Sequence, residues 1–147
     1  NVLKRVFIQR DAEPPPLVPG EGTPAKAYTF LRSVQFNGGK PFSVVNLHLD
    51  QALFMRDSKR FTRSAALPKI VEMEDVAITH AYQTFTIGVA DPETAELLEI
   101  GLGEPTADCQ LTVIDNNDVA IYVADIHYLK NCFVLRNDLL KRGAEAR

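Results

Sequence analysis

Only two of the 147 residues are cysteine, Cys109 and Cys132, and each lies in an apolar, strand-like run without CxxC spacing. That sparsity excludes a disulfide-stapled scaffold and a cysteine-based zinc site, and both are read as buried thiols in a reducing cytoplasm. Long hydrophobic runs are missing too, since no segment approaches the roughly twenty apolar residues that a membrane helix needs. The opening "NVLKRVFIQR" lacks the apolar stretch of a secretion signal. A soluble, cytoplasmic protein without a membrane partner is expected. Positive charge is not in excess either: 16 Lys and Arg face 19 Asp and Glu, for a formal charge of −3. This chain alone lacks the clustered cations that a nucleic-acid backbone requires.

What is present suits one domain with a substantial core, because 46% of the side chains are hydrophobic and 24% charged. The chain starts at Asn1 directly in a strand pattern, without Met, which suggests a piece whose preceding part carries another function. After that strand, "DAEPPPLVPGEGTP" is a loop with at most a short helix, since three consecutive prolines fix φ and remove donors. "AKAYTFLRSVQF" and "PFSVVNLHL" flank Asn37-Gly38-Gly39, a turn able to adopt positive φ, and predict a β-hairpin. Asp50 can cap a short helix using Leu53 and Phe54, and a second helix is expected from about Pro68, with Ile70, Val71 and Met73 facing inward.

"VAITHAYQTFTIGVA" reads as a further strand and leads into "DPETAELLEIGLG". There Asp91 is the expected N-cap, Pro92 the first helical residue, and Gly101 the left-handed stop. Ala95, Leu98 and Leu102 form its inward stripe, widened by Leu97 and Ile100. The long hairpin "GEPTADCQLTVIDNNDVAIYVADIHY" follows.

The second half repeats the order of the first. "NGGKPFSVVNLHL", residues 37–49, aligns without a gap on "NNDVAIYVADIHY", residues 116–128, pairing Val44 with Val123 and His48 with His127. Two copies of strand, connection and hairpin predict an α+β fold: one antiparallel sheet of about six strands, pseudo-two-fold symmetric, with flanking helices on one side.

The segment "ADPETAELLEIGLGEPTADCQLTVIDNNDVAIYVADIHYLKNCFVL" resembles the closing section of the UTRA domain of HutC-type regulators in the GntR family. The family's order is a strand, an A-x-x-L helix ending in glycine, a G-x-P turn, a long hairpin and a final strand. "LRSVQFNGGKPFSVVNLHL" and "SAALPKIVEMEDVAI" are similar to its first hairpin and central helix, so the resemblance spans residues 1–147. It implies a chorismate-lyase-like fold, a non-enzymatic effector-binding and dimerisation role, and a homodimer. DNA would be reached only through a winged helix-turn-helix domain absent from this chain.

Carried over position by position, the resemblance implies effector contacts at Ser33, Gln35, Val45, Ala65, Leu67, Tyr122 and Tyr128; Ser43 is added as a further polar point and Arg32 as a neighbouring cation on the opposite face of an ideal strand. Where phosphosugar-sensing members have two strand arginines this chain has Ser33 and Gln35, and several acidic or hydroxyl positions are Val45, Ala65, Leu67 and Tyr122. The family's "RGDRY" is Leu129-Lys130-Asn131-Cys132-Phe133 here. Such a lining suits an aromatic or apolar metabolite, with a carboxylate as its polar group, better than a sugar phosphate. Neither a cofactor nor a metal is expected; His48 and His127 are read as sheet residues, without a carboxylate or thiol at ligand spacing. The run "RDSKRFTR" is read as a solvated loop. Two alternatives stay open: a chorismate-lyase-like enzyme, which needs cations for two carboxylates, and a dimerisation module with a collapsed pocket.

Overall fold

The two hairpins form where turn chemistry and alternation place them. Strands β3 (Tyr28–Asn37) and β4 (Lys40–Asp50) are joined through Gly38 and Gly39, with φ of 59° and 81°. Strands β6 (Pro105–Asp115) and β7 (Val119–Leu129) are joined through Asp118, at φ 61°, while the Asp115 carboxylate accepts the Asn117 and Val119 N–H groups. The computed structural model describes residues 2–140. Its sheet is completed by β1 (Val2–Ala12) and β5 (Ile78–Val89) at the two edges and by a two-residue strand, β2 (Thr23–Pro24), parallel to β7. The order is β1-β3-β4-β7-β6-β5, antiparallel along this path.

The expected internal symmetry is visible in the register. Across the central β4–β7 ladder Val44 faces His127 and His48 faces Val123, so the residues aligned by the repeat exchange partners about the Asn46–Asp125 pair. Each half then contributes a hairpin and an outer strand. The segment between β1 and β3 has no helix, as its prolines require, and Tyr28 anchors it by donating to the Ala120 carbonyl while accepting from Ala25 N–H.

Three short helices lie between the halves: α1 (Gln51–Arg56), α2 (Ser58–Arg63) and α3 (Ala66–Glu72). Asp50 caps α1 by accepting from Ala52 N–H, and Asp57 caps α2 by accepting from Arg60 N–H. Leu53, Phe54, Phe61 and Ile70 pack against Leu31, Val45, Leu47, Leu49, Tyr122 and Ala124 of the sheet. Each fully buried side chain there, Phe61 and Ile70 included, contributes about 2 kcal/mol of transfer free energy. The fourth helix, α4 (Pro92–Leu98), lies on the opposite face, where Leu98 meets Val34 and Val44. The helices therefore divide between two faces, which corrects the one-sided arrangement expected: α4 connects β5 to β6 and packs across onto β4 of the other half.

Local corrections have local causes. Helix α4 begins as expected, with Asp91 accepting from Thr94 N–H and Pro92 following, but it stops at Leu98. Glu99 takes the left-handed position at φ 59°, three residues after Glu96, whose carbonyl accepts its N–H. Gly101 does not take it, and Leu102, beyond the helix, is 71% exposed. Val71 is also exposed, because α3 is too short to bury more than Ala66 and Ile70, while Met73 packs partly on the core. Cys109 is buried but Cys132 is exposed, as residues 130–140 form no strand. Among the described residues no helix is long and apolar enough to cross a membrane.

Gly88 leaves room for a neighbour. A Cβ there would stand 1.9 Å from Asp108 Oδ2, and the Asp108 carboxylate is held by Thr106 Oγ1 at 2.8 Å and His127 Nδ1 at 2.9 Å. Gly88→Ala is expected to cost about 1–3 kcal/mol through overpacking. Urea unfolding of the single variants and the Gly88→Ala/Asp108→Ala double variant should show recovery of most of that loss. Additive losses would mean that the strain lies elsewhere.

Candidate functional site

Strand parity decides which proposed contacts can share a ligand. Because residues paired across an antiparallel ladder lie on one face, the pairs Ser33–Val45, Gln35–Ser43 and Ser43–Tyr128 put these side chains on the face covered by α1–α3. Tyr122, opposite Leu49, joins them. Six of the nine expected contacts therefore occupy one sheet face: Ser33, Gln35, Ser43, Val45, Tyr122 and Tyr128. Leu67 packs partly buried on the adjoining core, whereas Ala65 is exposed at the start of α3.

Arg32 does not join this group. It lies on the other face, donating from Nε to Asn46 Oδ1 at 2.7 Å, pairing with Glu93 of α4 and resting over the Phe30 ring. It therefore shares no sheet face with the other strand candidates. His48 and His127 share that opposite face, His48 packed edge-on against Tyr28 and Phe30. Among the described residues no group of three or more His, Cys, Asp or Glu could hold a metal ion.

The cation of the candidate site comes from Arg5, which the sequence reading missed. Arg5 pairs with Ser33 across β1–β3, and its Nη1 donates to Ser33 Oγ at 2.6 Å. Nε and Nη2 donate to the Phe61 carbonyl at 3.1 and 2.8 Å, and Nη2 also reaches the Ser64 carbonyl at 2.7 Å. These carbonyls belong to the last turn and cap of α2, where a helix leaves its acceptors unsatisfied and concentrates negative potential. No acidic side chain pairs with Arg5 among the described residues. Burial pulls its guanidinium down to about 10, still far above neutrality, so it keeps its charge.

Around this cation the site is aromatic and sparingly polar. Ser33 and Ser43 are fully buried, and Ser43 spends its hydroxyl proton on Gln35 Oε1. Burial pushes the Tyr122 hydroxyl up to about 12, against the opposing pull of Arg5. Cys109, within electrostatic reach of Tyr122 and Tyr128, is raised by burial and stays a thiol. Tyr128, half-buried, stands 6.4 Å from Phe133, whose ring lies 4.8 Å from Phe85 of β5. The assembly joins one half-buried cation, hydroxyl groups and apolar side chains, which suits recognition of an anion carried on an aromatic or aliphatic body.

An antiparallel sheet with helices packed on both faces is an α+β fold of chorismate-lyase-like type. The chain belongs to the UTRA domain family, whose profile matches residues 22–133. The fold is similar to that of a GntR-family transcriptional regulator from Enterococcus faecalis V583 (14% identity, 92% of this chain and 99% of that chain, TM-score 0.69). It is also similar to the effector domain of PhnF from Mycobacterium smegmatis (17% identity, 88% and 80% coverage, TM-score 0.68). Against the PhnF structure that is longer than that domain, the match covers 90% of this chain but 59% of that chain, at 16% identity and TM-score 0.70. No curated protein sequence matches significantly.

The Tyr122 environment gives a pH test. Because its folded pKa is raised above the ordinary 10, its contribution to stability is complete below pH 10 and is lost as pH rises toward about 12. Arg5, depressed from 12.5 to about 10, acts in the opposite sense across the whole of that range. Ultraviolet titration should show one tyrosine ionising near 12, absent in Tyr122→Phe. Stability between pH 10 and 12 should fall more steeply in the parent chain than in that variant; equal slopes would place the hydroxyl in solvent.

Proposed function

We propose that this chain is the effector-sensing part of a cytoplasmic GntR-type transcription regulator of the HutC subfamily. It acts without catalysis and as a homodimer, joined in the full regulator to DNA-binding heads ahead of residue 1. The effector is a small aromatic or apolar carboxylate, seated on the sheet face that carries Arg5, Ser33, Gln35, Ser43, Val45, Leu67, Tyr122 and Tyr128. The observation behind this is the Arg5 guanidinium: a half-buried cation satisfied by neutral acceptors and within electrostatic reach of Tyr122. It supplies, from β1, the positive charge that Ser33 and Gln35 do not.

The same contacts suggest how binding is transmitted. An effector carboxylate that takes donors from Arg5 competes with the Phe61 and Ser64 carbonyls, and so with the bonds that hold the end of α2 to β1. Effector-bound and effector-free arrangements then differ in the position of α2 relative to the first strand of the domain. An effector shifts the balance by its difference in affinity for the two arrangements, which is all that control of DNA binding requires.

A thermal-shift panel tests the assignment. Aromatic and branched apolar carboxylates should raise the melting temperature, as any ligand selective for the folded state must. The matching neutral amides should not, and Tyr122→Ala or Arg5→Lys should weaken the response at least about tenfold in apparent affinity. Response to sugar phosphates alone would overturn the ligand class. Silence across the panel would favour a dimerisation module with a filled cleft, for which the mutually satisfied Ser43 and Gln35 already speak. Turnover of chorismate would favour the enzyme.

A further inference from the structure

The basic run RDSKRFTR, expected to be a solvated loop, is helical instead: Arg56 closes α1 and Ser58–Arg63 form α2. Helical spacing sorts the side chains of α2. Phe61 turns into the core, while Ser58 with Thr62 and Lys59 with Arg63, each pair four residues apart, share one flank. Opposite that flank runs the second half of β1, where Ile8 and Arg10 alternate onto one side. With Phe54 of α1 these residues line a shallow cleft of about 360 Å³, in the lower range of small-molecule sites. No residue assigned to the effector lines it.

The charges of this cleft are not balanced. Around the helical insert the acidic side chains are already engaged, Asp57 with Lys69, Asp75 with Arg56 and Glu72 with Arg60. Arg10, Lys59 and Arg63 are left over: none pairs with an acidic side chain among the described residues. No Asp or Glu lines the cleft. Arg63 donates only from Nε, to the Lys59 carbonyl at 3.4 Å, which leaves its terminal nitrogens free. Like charges gathered in one cleft repel each other, and an anion from outside relieves that repulsion. The excess is local, since the chain as a whole carries a formal charge of −3.

We propose that this cleft is a second binding site, separate from that of the effector, for a compact, multiply charged anion of the phosphate class carried on a small organic body. A carboxylate offsets one of the three cations. A phosphate monoester brings about two negative charges and three acceptor oxygens at neutral pH, and the guanidinium forks of Arg10 and Arg63 match its geometry. Ile8 and Phe54 supply an apolar floor for the attached body. A nucleic-acid duplex fits less well, because the net negative charge of the chain opposes a long polyanion. An anion held here joins Arg10 of β1 to Lys59 and Arg63 of α2, the two elements that Arg5 also clasps. It therefore strengthens the attachment that the effector weakens, and the two ligands oppose one another reciprocally. That antagonism rests on the function proposed above; occupation of the cleft does not.

Inorganic pyrophosphate, titrated at low ionic strength and followed by nuclear magnetic resonance of the backbone amides, tests the site. Saturable shifts are expected at residues 8–10 and 58–63, with slower hydrogen exchange of the α2 amides. Sodium acetate at matched ionic strength should produce neither. Arg10→Glu and Lys59→Glu should each weaken binding at least about tenfold, whereas Lys40→Glu at the β3–β4 turn, an equal change of charge, should leave it unchanged. All three positions are exposed, so the fold should persist by circular dichroism. Should a cleft variant fold poorly, the shift map of the parent chain decides alone. Absence of saturable shifts, shifts centred on Ser33 and Tyr122, an equal response to acetate, or tighter binding of a DNA duplex at the same residues would each overturn the proposal. None of these outcomes involves the effector, so the assignment of its site stands or falls separately.

Discussion

The antiparallel ladder between β4 and β7 is the contact on which the rest of the fold depends, because it is where the two repeated halves become one sheet. Side chains alternate along a strand, so a slip of one residue would turn every core residue of one half toward the wrong face. The register from Ser43–Tyr128 to Leu49–Tyr122 puts Val45 and Leu47 beside Ile126 and Ala124, under a single helical cover. It also puts Tyr122 and Tyr128 on the face that Ser33 and Ser43 occupy. The core and the candidate site are thus fixed by the same hydrogen-bonded pairs.

Symmetry ends where function is proposed. The repeat produces equivalent hairpins and equivalent edge strands, but α1–α3 are inserted once, between the halves, and cover one face against β1, β3, β4 and β7. Arg5 ties that insert down. An arginine buried against a carboxylate would be a finished ion pair, expensive to open and indifferent to a second anion. Held by Ser33 Oγ and two backbone carbonyls, it has neutral partners, whereas a carboxylate would add the attraction of an opposite charge and a bidentate geometry to the same donors. A cation satisfied in this way is a structural clasp, and under the proposed function the same donors receive the effector.

Much of this was legible in the sequence. Gly38-Gly39, the Asp91-Pro92 start of α4 and the gapless alignment of residues 37–49 on 116–128 were sufficient for the hairpins, the helix and the pseudo-two-fold sheet. The site was legible as a set of positions but not as a set of directions. Tyr122 and Tyr128 fall together because β7 runs regularly between them. Arg5 was hidden because the register shift after it places Arg5 and Ile8 on one face and Phe7 on the other, which no alternation count through "VLKRVFIQR" would show. Arg32 stands apart as strand parity requires: it adjoins Ser33 in sequence, and in a strand adjacency means opposite faces. Glu99 took the position expected for Gly101, and the left-handed turn there lets Ile100, beyond the helix, still pack beside Leu98 on the Val34–Val44 cluster.

Placing α1–α3 on one face and α4 on the other has a consequence for any signal that starts at the site. The cover over Arg5 is built from helices of six or seven residues, too short to be stable without the sheet beneath them. Their position is therefore a tertiary property, held by Phe61, Ile70 and the Arg5 bonds to the end of α2. Helix α4 stands apart, fixed by its capping Asp91 and by Leu98 on the opposite face. Removing the Arg5 bonds loosens α2 from β1 without disturbing the β4–β7 ladder, because no residue of that ladder accepts from Arg5. The molecule thus combines a continuous sheet with one cover held to it by buried apolar side chains and by one polar clasp, Arg5 of β1.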